Sequence, residues 1–177
     1  MIDDLIPAKV LATHTIANVS ETLAEKLGLP PQYRSIGIIT ADSDDVTYCA
    51  LDEATKAAAV EVVYGRSLYA GATNASTKLA GEVIGILAGP NPAEVQSGLR
   101  ACAEFMDSGV GFRSANEDDS IIYFAHTVSR TGTYLSKTAH VREGEALAYL
   151  IAPPLEAVVG LDEALKASDV ELAALFE

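Results

Sequence analysis

LDEATKAAAVEVV runs from Leu51 to Val63, and LDEALKASDVELA runs from Leu161 to Ala173. The two stretches lie 161 − 51 = 110 residues apart, and eight of their 13 aligned residues are identical. A short match of helix-forming residues also arises by chance. Here both copies follow an apolar stretch typical of a strand, and both precede a V-E-hydrophobic stretch. The matching order of elements therefore favours an internal duplication.

The first half of the chain alternates between predicted strands and helices. Apolar runs at 35–40 and 81–89 are typical of buried strands. Ser20 is a helix cap signal, and Gly28 is a stop signal for the helix between them. The remaining predictions are a strand within 2–19, a helix from about Val46 or Leu51 to Ala59, an alternating strand in VEVVYGRSLYAG, a turn at 74–77, and a helix over AEVQSGLRACAEFMD that ends near Ser108.

The second half repeats only part of this order. Its predictions are a strand in 120–130, a polar loop in SRTGTYLSKT, a strand in 145–154, a helix over LEAVVGLDEALKAS and a strand at 170–176. We therefore predict an α/β chain of two units, residues 1–110 and 111–177. The second unit has 177 − 110 = 67 residues and lacks a counterpart of GEVIGILAGPNPAEVQSGLRACAEF. Without that counterpart, we expect exposed apolar faces at 145–151 and 170–176.

Composition excludes several classes of function. With 12 basic and 25 acidic residues the net charge is −13, which makes nucleic acid and anionic membranes poor partners. No apolar run reaches the roughly 18 residues of a membrane span, and the N-terminus lacks a signal-peptide pattern. Cys49 and Cys102, with no CxxC motif, indicate a reduced cytosolic protein rather than a disulfide scaffold.

Catalytic and metal-binding motifs are missing from the sequence. His14, His126 and His140 are far apart, and no nucleophile elbow, phosphate loop or dinucleotide-binding glycine pattern occurs. Cys49 precedes the predicted helix, a position that can lower a thiol pKa, but a small buried residue is the preferred interpretation. The sequence thus predicts no cofactor, no metal and no enzymatic activity, with acid–base chemistry by clustered carboxylates as the one enzymatic alternative.

The acidic stretch DSDD, residues 42–45, is open to three interpretations. It is a solvated loop with an aspartate capping the next helix, a calcium loop, or a site for a small cation. The calcium pattern fails because Thr47 stands where it needs glycine and Val46 where it needs Asp or Asn. An organic ammonium favours carboxylates and gains roughly 0.5–2 kcal/mol from an aromatic face.

Long motifs give the chain a family resemblance. RSIGIITADSDDVTYCALDEATKAAAVEVVYGRSLYAGA, AGEVIGILAGPNPAE and VSRTGTYLSKTA…AYLIAPPLEA together resemble the EutL family, the tandem-domain shell proteins of the ethanolamine-utilisation bacterial microcompartment. The resemblance covers the chain from DLIPAKVL to ELAALF. It implies two permuted, ferredoxin-like α/β (α+β) microcompartment-shell domains, the second incomplete, because such chains continue with a further strand and helix. It also implies a flat homotrimer that mimics a hexamer.

The resemblance further implies a ligand and a place for it. Asp45, Glu82 and Phe112, with Asp44 close by, match positions around a small pore that holds ethanolamine. The loops 65–76 and 129–139, which carry Tyr69 and Tyr134, match pore-lining and gating loops, although hairpin turns explain the same residues. The function implied is a shell tile with pores that assembles with other shell proteins. The alternative is an ethanolamine-binding regulator that does not assemble into a shell.

Overall fold

A computed structural model describes residues 2–69 and 81–175 of the chain. The strands are β1 (Leu5–Pro7), β2 (Val10–Ile16), β3 (Ser35–Ala41), β4 (Glu61–Tyr69), β5 (Gly81–Gly89), β6 (Gly111–Ser114), β7 (Ile122–Val128) and β8 (Leu147–Ile151). The helices are α1 (Glu21–Leu27), α2 (Asp44–Ala57), α3 (Pro92–Asp107), α4 (Thr133–Thr138) and α5 (Pro154–Ala167). The described helices include none that is long and apolar enough to cross a membrane.

The first sheet has the order β2-β3-β5-β4, with antiparallel neighbours throughout. Helices α2 and α3 pack on one face, where Ile39 and Leu87 are fully buried with them. The short helix α1 packs on the other face through Ala24, beside Ile36. Side chains alternate between the two faces of a strand, so β3 supplies both cores. This central position explains its nearly continuous apolar sequence.

The second sheet has the order β1-β6-β7-β8 and shares the main core with the first. Its β1 comes from the N-terminus and pairs Ile6 with Phe112 of β6. The single strand region predicted within 2–19 is therefore two strands in different sheets, because the chain turns away between Pro7 and Val10. The division at 110 and 111 stays a prediction, and β6 begins at Gly111.

The predicted duplication is visible in the elements. An offset of 110 carries Asp44–Ala57, the whole of α2, onto Pro154–Ala167, the whole of α5. The order strand-helix-strand-helix occurs twice, as β2-α1-β3-α2 and as β7-α4-β8-α5. The prediction of an α/β chain built by tandem duplication is confirmed at the level of the fold.

After α5 the two repeats diverge. Residues 170–175 form no strand, which corrects that prediction, and residue 176 lies outside the described residues. In the first sheet, β4 takes its hydrogen bonds from β5, and the described part of the second repeat has no counterpart of β5. An isolated strand cannot satisfy its backbone groups, so the segment stays irregular. As expected, Leu150 and Leu172 are exposed, by 44% and 48%.

The stretch SRTGTYLSKT, predicted as a loop, contains the helix α4. Gly132 precedes α4 and has no side chain with which to cap it. The buried carboxylate of Asp52 on α2 supplies the cap instead: Oδ2 accepts from Gly132 N at 2.7 Å and Oδ1 accepts from Leu135 N at 2.8 Å. The cap comes from 80 residues away in the sequence, so no local pattern announces the helix.

Helix α2 attaches the second repeat to the first through one face, which we call the anchoring face: Tyr48, Asp52, Thr55 and Lys56. Thr55 Oγ1 accepts from Thr133 N at 3.1 Å, and Lys56 Nζ donates to the carbonyl of Arg130 at 2.9 Å. Lys56 also lies 3.4 Å from the Asp52 carboxylate. The ring of Tyr48 lies 6.4 Å from that of Tyr134.

Candidate functional site

Asp44 and Asp45 form the first turn of α2, which begins before either of the predicted starts, Val46 and Leu51. The aspartates are therefore part of the helix rather than of a preceding loop. Asp44 Oδ1 accepts from Asp45 N at 3.0 Å, and both residues are half-buried. The helix starts with exposed N–H groups and a partial positive charge, which favours carboxylates in this turn.

Glu82 lies at the same edge of the first sheet as this turn. The strands β3 and β5 are antiparallel, and Ala41 pairs with Val83. Continuing that register by one residue places Glu82 opposite Asp42, immediately before α2. Glu82 is half-buried and pairs with Leu68 of β4 on its other side. Three predicted site residues, Asp44, Asp45 and Glu82, are thus brought to one sheet edge.

Phe112 belongs to the second sheet and reaches this region through aromatic neighbours. Its ring centroid lies 5.3 Å from that of the fully buried Phe124, which in turn lies 6.1 Å from Tyr149. Tyr149 is close enough to Asp45 for the two to interact electrostatically. Phe112 is half-buried and packs on the main core, so the core-anchor interpretation of this residue also fits its environment.

Asp45 is the most perturbed acid at this edge. Burial raises the pKa of Asp45 to about 7, and the negative charge of Asp44 and a hydrogen bond to it add to the increase. Desolvation and a like charge both disfavour a second carboxylate. A carboxyl group that ionises near neutral pH can accept a cation when its proton leaves.

The raised pKa of Asp45 predicts a pH dependence of stability. The folded state holds the proton up to about pH 7, whereas an unfolded aspartate loses it near its ordinary 3.8. Between these values the folded state binds more protons, so the free energy of unfolding decreases as pH rises. We expect Asp45→Asn to flatten this decrease in urea titrations at pH 4 to 8. Equal slopes for the variant and the parent would contradict the assignment.

Ser43 at this edge and Tyr149 of the second sheet are two further residues that the sequence did not predict as part of the site. Ser43 Oγ is buried and has no hydrogen-bond partner among the described residues, although Ser43 stands at the cap position of α2. Burial raises the pKa of the Tyr149 hydroxyl above its ordinary range, with Cys49 and Asp45 as further causes. The quoted stretch DSDD contains Ser43, but Tyr149 comes from β8 and no local signal points to it.

The remaining candidates have structural roles. Cys49 lies inside α2 and is buried, and burial raises the pKa of its thiol to about 12, so the preferred interpretation of a small core residue is confirmed. In residues 2–69 and 81–175, no three His, Cys, Asp or Glu side chains are placed to hold a metal ion. Residues 70–76 of the first predicted pore loop and the turn at 74–77 lie outside the described residues.

Comparison with known proteins identifies the family. The model of the BMC domain matches residues 35–115. Bacterial microcompartment shell protein EutL of Clostridium perfringens is 70% identical over 176 residues, which cover 99% of this chain and 81% of that protein. The protein of the same name in Escherichia coli is 56% identical over 170 residues, covering 96% of this chain and 78% of that protein.

Solved structures agree with the sequence comparison. The crystal structure of ethanolamine utilization protein EutL from Leptotrichia buccalis superposes with a TM-score of 0.91 at 66% identity, covering 98% of this chain and 80% of that one. These relatives are named as shell proteins, so the predictions of a structural, non-enzymatic role and of a place in a microcompartment shell are confirmed. The chain belongs to the EutL family of bacterial microcompartment shell proteins.

Proposed function

We propose that three copies of this chain form a flat tile of an ethanolamine-utilisation shell, and that the sheet edge of Asp44, Asp45 and Glu82 binds ethanolamine. The name of the Leptotrichia buccalis relative supports the substrate class. The observation that carries the ligand proposal is that the end of β5 that carries Glu82 lies beside the end of β3 that leads into Asp44 and Asp45, with the pKa of Asp45 raised to about 7. Other shell proteins adjoin the tile, and small pores beside this edge admit the ligand.

Ethanolamine matches the chemistry of this edge. Its ammonium group favours carboxylates as partners. A bound cation would offset the negative charge of Asp44 and so favour the ionised form of Asp45. Tyr149 interacts electrostatically with Asp45 and is linked through Phe124 to the half-buried Phe112. An aromatic face in this group would stabilise an organic cation. The ligand hydroxyl needs a hydrogen-bond partner, and the unpaired Ser43 Oγ is at the same helix start.

The tandem repeat supports the trimer. Two similar units in one chain carry similar surfaces, so three chains arranged about one axis repeat a surface six times. Such closure uses each complementary edge once and leaves none free within the ring. The pores of such a tile would let selected molecules pass. Ethanolamine would close a pore only by binding the closed state more tightly than the open one.

Binding of ethanolamine tests the site. By isothermal calorimetry at pH 8, we expect Asp45→Ala and Glu82→Ala each to weaken binding at least about tenfold, since a charge-assisted hydrogen bond contributes about 1.5–3 kcal/mol. Glu104→Ala removes an exposed carboxylate on α3 and serves as the matched control, with unchanged affinity. Unchanged affinity in both site variants would remove the site from this edge.

A pH series separates the role of Asp45 from simple charge. The ammonium stays charged from pH 6 to 8, whereas Asp45 ionises across that range. We therefore expect the affinity of the parent chain to rise with pH and that of Asp45→Asn to stay nearly constant.

Native mass spectrometry tests the assembly independently, since a discrete trimer is expected. A monomer that still bound ethanolamine would favour a ligand-binding regulator that does not assemble.

A further inference from the structure

Ser43 stands at the cap position of α2 without capping the helix. Its backbone is extended, with φ −135° and ψ 119°, as in an ordinary capping residue, yet its side chain accepts no hydrogen bond from any described N–H of the first turn. A capping serine usually accepts from the N–H of the second or third helical residue, here Asp45 or Val46. Asp44 Oδ1 accepts from Asp45 N at 3.0 Å, so Asp44 takes the place of the serine at this donor.

The other side chains of DSDD have partners in the protein. Asp42 Oδ1 accepts from Lys9 N at 2.7 Å, and the side chains of Asp44 and Asp45 are hydrogen-bonded to each other. Ser43 Oγ is buried, and no hydrogen-bond partner for it lies among residues 2–69 and 81–175. A buried hydroxyl without a partner opposes folding, because it has given up its hydrogen bonds to water. Ser43 therefore has a hydrogen-bonding capacity that the described chain does not use.

The second repeat shows what the fold requires at this position. The offset of 110 carries residues 42–45, DSDD, onto residues 152–155, APPL. Pro153 is the cap residue of α5, which has 14 residues as α2 has, although APPL offers no side-chain hydroxyl and no carboxylate. A helix at this place in the repeat thus begins without either group. The serine and the aspartates at the start of α2 are therefore not required by the fold, and their position at the sheet edge of Glu82 indicates a role in binding.

We propose that Ser43 determines the specificity of this edge: its hydroxyl pairs with the hydroxyl of an amino alcohol whose ammonium group binds Asp45. This inference rests on the proposed ethanolamine site and names the residue that recognises the second polar group of the ligand. Consecutive Cα atoms are about 3.8 Å apart, so the Cα atoms of Ser43 and Asp45 lie within about 7.6 Å of each other. A ligand with its two polar groups on adjacent carbons is therefore long enough to reach both side chains.

The pairing of two hydroxyls distinguishes an amino alcohol from a plain alkylamine. A serine hydroxyl can donate and accept, so it matches a ligand hydroxyl in either orientation. An alkylamine of the same length offers a methyl group instead and leaves Ser43 Oγ unpaired. A site that hydrogen-bonds a ligand hydroxyl discriminates against the analogue without it, because the buried polar group of the site then has no partner. The carboxylates alone do not discriminate, since both amines carry the same charge.

Calorimetry with two amines tests the recognition of the hydroxyl. The ligands are ethanolamine and n-propylamine, in which a methyl group replaces the hydroxyl, both at pH 8. We expect the parent chain to bind ethanolamine at least about tenfold more tightly than n-propylamine. Ser43→Ala should weaken ethanolamine binding about tenfold and change n-propylamine binding by less than about twofold, so the preference disappears. Ser43→Thr keeps a hydroxyl and should retain the preference.

The stability of the ligand-free chain provides an independent test. Replacing a capping serine by alanine normally destabilises a protein, whereas Ser43 makes no capping bond to the described first turn. We expect Ser43→Ala to leave the midpoint of urea unfolding unchanged or to raise it. Ser20 Oγ accepts from Leu23 N at the start of α1, so Ser20→Ala is the matched control, with a lower midpoint and an unchanged preference for ethanolamine. A midpoint that falls as far in Ser43→Ala as in Ser20→Ala overturns the inference, because Ser43 then caps α2 in solution.

The outcomes separate this inference from the proposed function. Loss of the preference in Ser43→Ala at unchanged stability supports Ser43 as the residue that determines specificity. Binding of ethanolamine with the same preference in Ser43→Ala as in the parent overturns the role of Ser43 and leaves the acidic edge as the ammonium site. A parent chain that binds neither amine overturns both the inference and the proposed ligand site.

Discussion

Replacing Asp52 by alanine lowers the free energy of unfolding by about 3 kcal/mol or more, because two buried backbone donors lose their acceptor. Asp52 is 1% exposed, and its carboxylate accepts from Gly132 N and Leu135 N. The variant also removes one of the carboxylates that pair with Lys56, whose side chain is only 14% exposed. Alanine offers none of these groups a partner, and the attachment of α4 to α2 weakens.

Urea unfolding followed by circular dichroism measures this loss. Asp52→Asn should fall between the parent and Asp52→Ala, since one amide oxygen still accepts while the amide N–H₂ opposes the second donor. Glu104→Ala removes an exposed carboxylate from a helix of the same repeat and should change stability by less than about 0.5 kcal/mol. A loss below 1 kcal/mol in Asp52→Ala would show that water replaces the carboxylate at little cost.

The local sequence was sufficient to predict the helices and strands whose own residue pattern determines their type. The two LDEA stretches predicted α2 and α5, and the apolar runs predicted β3 and β5, because helix periodicity and buried strands leave direct marks in sequence. Their boundaries shifted by a few residues, as in the early start of α2. The acidic first turn of that helix looked like a loop because aspartate is common in both places.

The elements that depend on distant partners escaped prediction. β1 belongs to the second sheet only because Gly111–Ser114 lies beside it, and α4 forms where Asp52 caps it. Asp52 and Asp162 occupy the same position in the two repeats, yet Asp52 is buried and Asp162 is exposed. The difference lies in what each helix packs against, which no window of sequence contains.

Some residues of the candidate site were predicted from the sequence, and others became apparent only in the structure. Asp44, Asp45 and Glu82 were named from a resemblance, and the strand register brings them to one edge, but sequence spacing alone separates Asp45 from Glu82 by 37 residues. Ser43 and Tyr149 were missed because their relevance comes from burial and from a second sheet. The composition of DSDD indicated a cation without indicating which groups surround it.

Replacing Gly132 by alanine should lower the free energy of unfolding by about 2–3 kcal/mol, an effect of overpacking. The added Cβ would overlap Thr55 Oγ1 and lie 2.8 Å from the carbonyl oxygen of Asp52. The backbone of Gly132 has φ −84°, which any residue adopts, so the requirement for glycine is one of space alone. Gly160→Ala on α5 is the control, since its Cβ would meet the end of the exposed Leu150 at 3.1 Å.

A second substitution tells which neighbour causes the loss. Thr55→Ala removes the overlapping oxygen but leaves the carbonyl of Asp52, which belongs to the backbone of α2 and cannot withdraw. We therefore expect Thr55→Ala to restore only part of the stability of Gly132→Ala in a double-mutant cycle measured by urea unfolding. Full restoration would mean that the hydroxyl alone sets the spacing between α2 and α4. A stable single variant would mean that 130–135 can move away from α2, and the attachment of the two repeats would then depend on the shared apolar core rather than on the carboxylate of Asp52.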